Sequence, residues 1–158
     1  MNKITSRKKS RKYLFQKLYS LAYNKNSKEE FDNSFLIDSF KENLDEEYIN
    51  TQEKLILENE KKLIHILELY APKFPPEKMD LTYVLAIFIW ASEMLFFPEE
   101  IPAKVSINEA IELAKTYWTD TAKKIVNWVL NQVYKNYDEL KKKLENFESD
   151  NDFSFFKN

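Results

Sequence analysis

A chain of 158 residues, 44% hydrophobic and 15% aromatic, is long enough for one compact core, and a domain of this size hides roughly 68–70% of its unfolded surface. It has no glycine, no cysteine and one histidine, His65, which excludes glycine-built phosphate loops and dinucleotide fingerprints, Cys/His zinc sites, thiol chemistry and disulfides. The formal charge of −2 hides a split: residues 1–28 hold nine basic groups and no acid, leaving fifteen basic groups against all 26 acids in the remainder.

A basic arm on an acidic body is the footprint of a polyanion binder. The plainer alternative is a solvated arm in a lysine-rich chain, since all but two of the basic residues are Lys. Residues 13–23 read YLFQKLYSLAY, and Gln16, Lys17 and Ser20 interrupt any secretory apolar core. The acid-free start has some likeness to an organelle transit segment, but Leu14, Leu18, Leu21 and Ala22 fall on one face of a retained helix from about Ser6 to Asn24. The basic cluster is expected on its first turns and around the rest of the cylinder.

Ser27 with Glu30 forms a capping-box pattern for a second helix, with Phe31, Phe35, Leu36 and Phe40 as its apolar face and an end near Leu44. Asp45 caps a third, whose first turn carries Glu46 and Glu47 and whose stripe is Ile49, Ile56, Leu63, Ile66, Leu67 and Tyr70. It stops before Pro72. Pro75 and Pro76 make a connector, and Met79–Phe97 is apolar nearly all round, as a helix surrounded by others should be. Its most apolar part, 81–97, is shorter than the ~20 residues of a bilayer span and contains Glu93.

Pro102 opens the next helix, with Val105, Ile107, Ile111 and Ala114 inward and Glu109, Glu112 and Lys115 largely outward. Thr119 has N-cap chemistry, and from Asp120 the positions Ile125, Val129, Leu130, Val133, Tyr137 and Leu140 keep helical spacing to about Leu144. The fold class is all-α, a compact bundle of six to seven helices. Residues 1–146 form the single domain with its basic N-terminal arm, and 147–158 are expected to be a disordered tail.

Nothing in this set makes an enzyme, and no cofactor or metal is expected. His65 has no further His or Cys to share a metal with, so it reads as structural or solvated. Glu109 and Glu112 lack a nucleophile partner, and Phe88, Trp90, Phe96 and Phe97 on an apolar helix read as core. The segment SRKKSRKYLFQKLYSL is more informative. Its Arg7, Lys8, Lys9, Arg11 and Lys12 suit phosphates, Arg7 and Arg11 share one helix side with the two guanidinium groups able to grip a phosphate bidentately, and Tyr13 or Tyr19 can either stack on an unpaired base or join the core.

The segment Ile101–Leu130, IPAKVSINEAIELAKTYWTDTAKKIVNWVL, closely resembles the signature of the NusB family, in which a proline-led Lys-Val-Ala-Ile-Asn-Glu-Ala helix precedes a Lys-Phe-Val-Asn-Gly-Val-Leu helix. SRKKSRKYLFQKLYSL is similar to that family's basic first helix, and YAPKFPPEKMDLTYVLAIFIWASEML to its proline bend and central helix. The resemblance spans about residues 6–133. It implies an all-helical, non-enzymatic, cytoplasmic factor for transcription antitermination and ribosomal RNA synthesis. Such a factor binds boxA-like single-stranded RNA together with the ribosomal protein NusE in the transcription elongation complex. Matching positions place RNA contacts on Arg7, Lys8, Lys9, Arg11 and Tyr19 and on Lys123, Lys124 and Asn127, and the NusE-facing surface around Glu77, Asp80 and Tyr83.

The family usually has Gly where Trp118 and Trp128 stand, and Phe where this chain has Ile125. Trp118 must avoid a positive φ, by joining the preceding helix or approaching the next N-cap in the β region. Trp128 calls for new packing space, and Ile125 removes a base-stacking ring. Two alternatives follow: a diverged helical protein-interaction module without RNA binding, and an accessory domain that positions RNA for a separate ribosomal RNA methyltransferase.

Overall fold

The computed structural model describes residues 6–23, 44–98, 101–117, 120–149 and 152–156. The second helix expected from Ser27, and the conformation of Trp118 and Thr119, lie outside the described residues. Among the described residues there are seven α-helices, a 3-10 turn and one isolated bridge between Ser6 and Leu44.

The first helix, α1 (Arg7–Tyr23), starts at Ser6, whose hydroxyl accepts from the Lys9 amide at 3.1 Å, an N-cap bond. Asp45 caps α2 (Glu46–Glu58) by accepting from the Tyr48 amide at 3.0 Å, with Glu46 and Glu47 on the positive end of the helix dipole. Instead of running on to Pro72, the helix breaks at Asn59 and resumes as α3 (Glu60–Tyr70). A second expected continuous helix breaks the same way at Asn136, between α6 (Asp120–Lys135) and α7 (Tyr137–Glu145).

The two breaks share a feature. The side-chain amide of Asn59 donates to the Leu55 carbonyl at 2.8 Å, which also takes the Asn59 backbone N–H at 2.9 Å, and Asn136 repeats this on Gln132 at 2.9 and 3.0 Å. Such a bond competes for a ladder carbonyl but does not by itself end a helix, since Asn131 makes the same bond to the Asn127 carbonyl within α6.

Pro76–Lys78 forms the 3-10 turn, and Asp80 then caps α4 (Leu81–Leu95), accepting from the Thr82 amide at 2.9 Å. Every residue from Val84 to Glu93 is buried, and α4 packs against α1, α2, α3, α6 and α5 (Ala103–Tyr117). It is the axis of the bundle, as its near-uniform apolarity requires. Around it, α1 lies on α2, α5 on α6, and α3 and α7 on α6. Val105, expected inward, is 44% exposed, because α5 turns Ser106, Ile107 and Ala110 toward the core instead.

Of the tail, residues 147–149 and 152–156 are described. Among its described residues, Phe147 stacks on His65 with ring centroids 4.3 Å apart, and Phe155 meets the buried Phe88 edge-on at 5.7 Å. Glu60, itself buried, accepts from the Ser154 hydroxyl and from the Phe155 amide at 2.6 Å, while Lys61 donates to the Phe153 carbonyl. Loss of helical period did not mean loss of packing, because phenylalanines in an extended segment bury area without any periodicity.

Candidate nucleic-acid interface

Charged side chains on α1 divide according to what α2 and α4 present to them. Arg11 is 5% exposed, and its guanidinium forms two bonds with the Glu93 carboxylate, at 2.7 and 2.9 Å. The same carboxylate accepts from the Tyr48 hydroxyl and, at 3.1 Å, from Ser106. Gln52 extends the network by donating to the Tyr48 oxygen at 3.3 Å and to the Ile89 carbonyl at 2.9 Å, and by accepting from Ser92 at 2.7 Å. Burial works against the charge of Arg11, but Glu93 more than offsets it, and the guanidinium is held protonated above its ordinary range. Burial, reinforced by the Glu93 charge, pushes the Tyr48 phenol far up, so it stays a neutral donor.

Arg7 and Lys17 are tied similarly. Arg7 reaches the Asp45 carboxylate at 3.3 Å and lies over the Tyr48 ring, 4.5 Å from its centroid. Lys17, buried, pairs with buried Glu53 at 3.5 Å. The expectation that Arg11 grips phosphate is therefore corrected: one helix side does hold both arginines, but Glu93 of α4 engages the buried Arg11 and the α2 cap Asp45 engages the half-buried Arg7. Three of the arm's cations fasten α1 to the body.

Of the remaining residues singled out on α1, Lys8 is exposed, Lys9 and Lys12 are half-buried, and Tyr19 is half-buried against the core. Tyr13 is buried and belongs to the core. On α6, Lys124 and Asn127 are exposed, and Lys123 pairs with the exposed Asp120 at 2.8 Å. Asn127 accepts from the Asn131 amide at 2.8 Å through both its backbone and its side-chain oxygen. The two sets sit on helices that each pack on α4 and are not principal packing partners of each other.

At the start of α4, Glu77 and Asp80 are exposed and Tyr83 is half-buried. Asp80 also accepts from the Thr82 hydroxyl at 2.6 Å, so its carboxylate is occupied by the helix cap. His65 is half-buried, with its pKa lowered by burial and then by Lys143 against the opposing pull of Glu68, as suits a ring packed for structure. Among the described residues no group of three or more His, Cys, Asp or Glu could hold a metal ion, and no helix is long and apolar enough to cross a membrane.

Sequence reasoning also misplaced Trp128. It needed no new space in the core: it is 55% exposed, and its indole N–H donates to the Tyr70 carbonyl at 2.9 Å. A position next to Asn127 and four after Lys124 on an amphipathic helix was a signal for exposure, since Val126, Val129, Leu130 and Val133 already fill the inward face.

The model of the NusB family matches residues 8–135, taking in every helix from α1 to α6. The chain belongs to the NusB family. A protein of Clostridium perfringens named transcription antitermination protein NusB is 38% identical over 133 residues, covering 83% of this chain and 98% of its own. One of the same name from Natranaerobius thermophilus is 32% identical, with 84% and 94% covered. The solved structure of T. maritima NusB superposes with a TM-score of 0.72 at 25% identity, over 84% of this chain and 92% of that one. Beyond the span matched to the NusB family lie α7 and the docked tail.

Proposed function

We propose that this protein is a non-enzymatic adaptor in transcription antitermination and ribosomal RNA synthesis, acting in the bacterial cytoplasm. It binds boxA-like single-stranded RNA jointly with the ribosomal protein NusE and so joins the elongation complex. The observation that carries this reading is the NusB match across all six helices from α1 to α6, with lysines left facing outward on both α1 and α6.

Lys8, Lys9 and Lys12 on α1 and Lys124 on α6 supply phosphate contacts, Lys123 adds one when it leaves Asp120, and Asn127 and the accessible edge of Tyr19 meet the bases. Arg7 and Arg11 hold α1 in place and contribute by positioning that helix. The exposed acids Glu77 and Asp80, with Tyr83, offer a basic ribosomal protein a complementary surface.

Titration with boxA-like and scrambled single-stranded RNA, with and without NusE, at several salt concentrations tests the reading. Tighter binding of the boxA-like strand, strengthened by NusE, is expected. Binding of NusE without any RNA affinity overturns the RNA half and leaves the protein-interaction module in its place.

A further inference from the structure

Trp128 and Phe74 are exposed by 55% and 48%, and neither lies on the lysine-bearing arm. The Trp128 bond to the Tyr70 carbonyl holds the indole edge against the C-terminal end of α3. Just beyond that end the Phe74 amide donates to the Ala71 carbonyl at 3.0 Å, so Phe74 stands on the turn that follows α3. Lys73 on this turn is exposed, and so is Lys124, one helical turn before Trp128.

We infer that Trp128 and Phe74 form an aromatic platform on which unpaired bases of single-stranded RNA stack, with Lys73 and Lys124 holding the flanking phosphates. The inference rests on the RNA-binding reading above and adds to it the side chains that face the bases. Stacking favours a large flat ring that is already fixed, because no rotamer freedom is lost when the base arrives. The bond from Nε1 ties one edge of the indole to protein and leaves more than half the side chain to solvent. Of the acids on α6, Asp120 is engaged by Lys123. Cations beside exposed rings suit nucleic acid better than a basic protein, which would seek the acids of Glu77 and Asp80 instead. The platform also supplies the ring missing at Ile125.

The test uses the full chain and a boxA-like single-stranded RNA, with affinity followed by anisotropy over a range of salt and folding followed by circular dichroism and urea titration. Trp128→Ala is expected to weaken RNA binding about tenfold with the salt slope unchanged, and Trp128→Phe to recover most of it. Phe74→Ala should act in the same direction, and Lys124→Ala should lower the slope instead. If the wild type binds RNA and Trp128→Ala binds it equally well, the platform is refuted and the adaptor stands. A Trp128→Ala variant that keeps RNA but loses NusE makes this a protein-docking face, which also overturns the inference. If the wild type binds no RNA, the adaptor reading itself fails.

Discussion

Two basic helices of this molecule are put to opposite uses. On α1 the cations Arg7, Arg11 and Lys17 meet Asp45, Glu93 and Glu53, with both members of the last two pairs buried. On α6 the buried residues are apolar among those described, Lys124 stays in solvent and Lys123 pairs with the exposed Asp120. A residue type does not carry its role with it. The acid at Glu93, near the C-terminal end of a mostly apolar helix, decides that Arg11 is a structural residue.

Removing one member of the α1 pairs should have the largest effect. Arg11→Ala strands a buried carboxylate and should destabilise the fold by roughly 3–5 kcal/mol in urea titration, with affinity per folded molecule preserved. The double variant Arg11→Met, Glu93→Leu should lose less than either single change, because both charges leave together. A stable Arg11→Ala protein with weakened RNA binding would return Arg11 to the interface and collapse the contrast between the helices.

The docked tail gives a control that touches neither lysine set. Phe155 is half-buried against Phe88, so Phe155→Ala should lower stability by about 1 kcal/mol, some half of what full burial of such a ring contributes. RNA affinity and its salt dependence should not move. A change in either would mean that the tail reaches the interface.

Exposed Lys8 and half-buried Lys9 and Lys12 of α1 should behave in reverse. Replacing Lys8, Lys9 and Lys12 by Ala should leave stability within about 0.5 kcal/mol, as surface changes usually do. It should lower the log–log salt slope by about 0.7 for each phosphate of the single strand that is no longer neutralised. An unchanged slope would remove α1 from the interface altogether and leave α6 as its only basic helix.

These contrasts show where the sequence was legible. The apolar run of α4, the cap at Asp45, and the inward positions Val129, Leu130 and Val133 follow from periodicity and capping chemistry, which are local. The breaks at Asn59 and Asn136 were hidden, because the apolar period runs on across both. The burial of Arg11 was hidden for a longer-range reason: its partner Glu93 is 82 residues away, and only the packing of α1 on α4 pairs them. Trp128 was misjudged because a bulky residue in place of glycine suggests crowding, whereas its helix position points it outward.

The smallest expected effect concerns an exposed ion pair on α6. Asp120 holds Lys123 at 2.8 Å, but its side chain is 88% exposed, so the pair resides in water and contributes little to stability. Asp120→Asn should therefore leave the urea midpoint unchanged while freeing one cation, giving slightly tighter RNA binding and a salt slope steeper by at most about 0.7. The pH dependence has a definite sign. The hydrogen bond from Lys123, and next its charge, hold the Asp120 carboxyl below its ordinary range, so the ion pair is intact above the ordinary carboxylate pKa and is lost as pH falls through the lowered one. At neutral pH the wild type and Asp120→Asn should differ in slope, and on acidification they should converge as protonation releases Lys123. If Asp120→Asn instead weakens RNA binding at neutral pH, Asp120 itself touches the RNA, and the loosely held cations of α6 are not what the RNA meets.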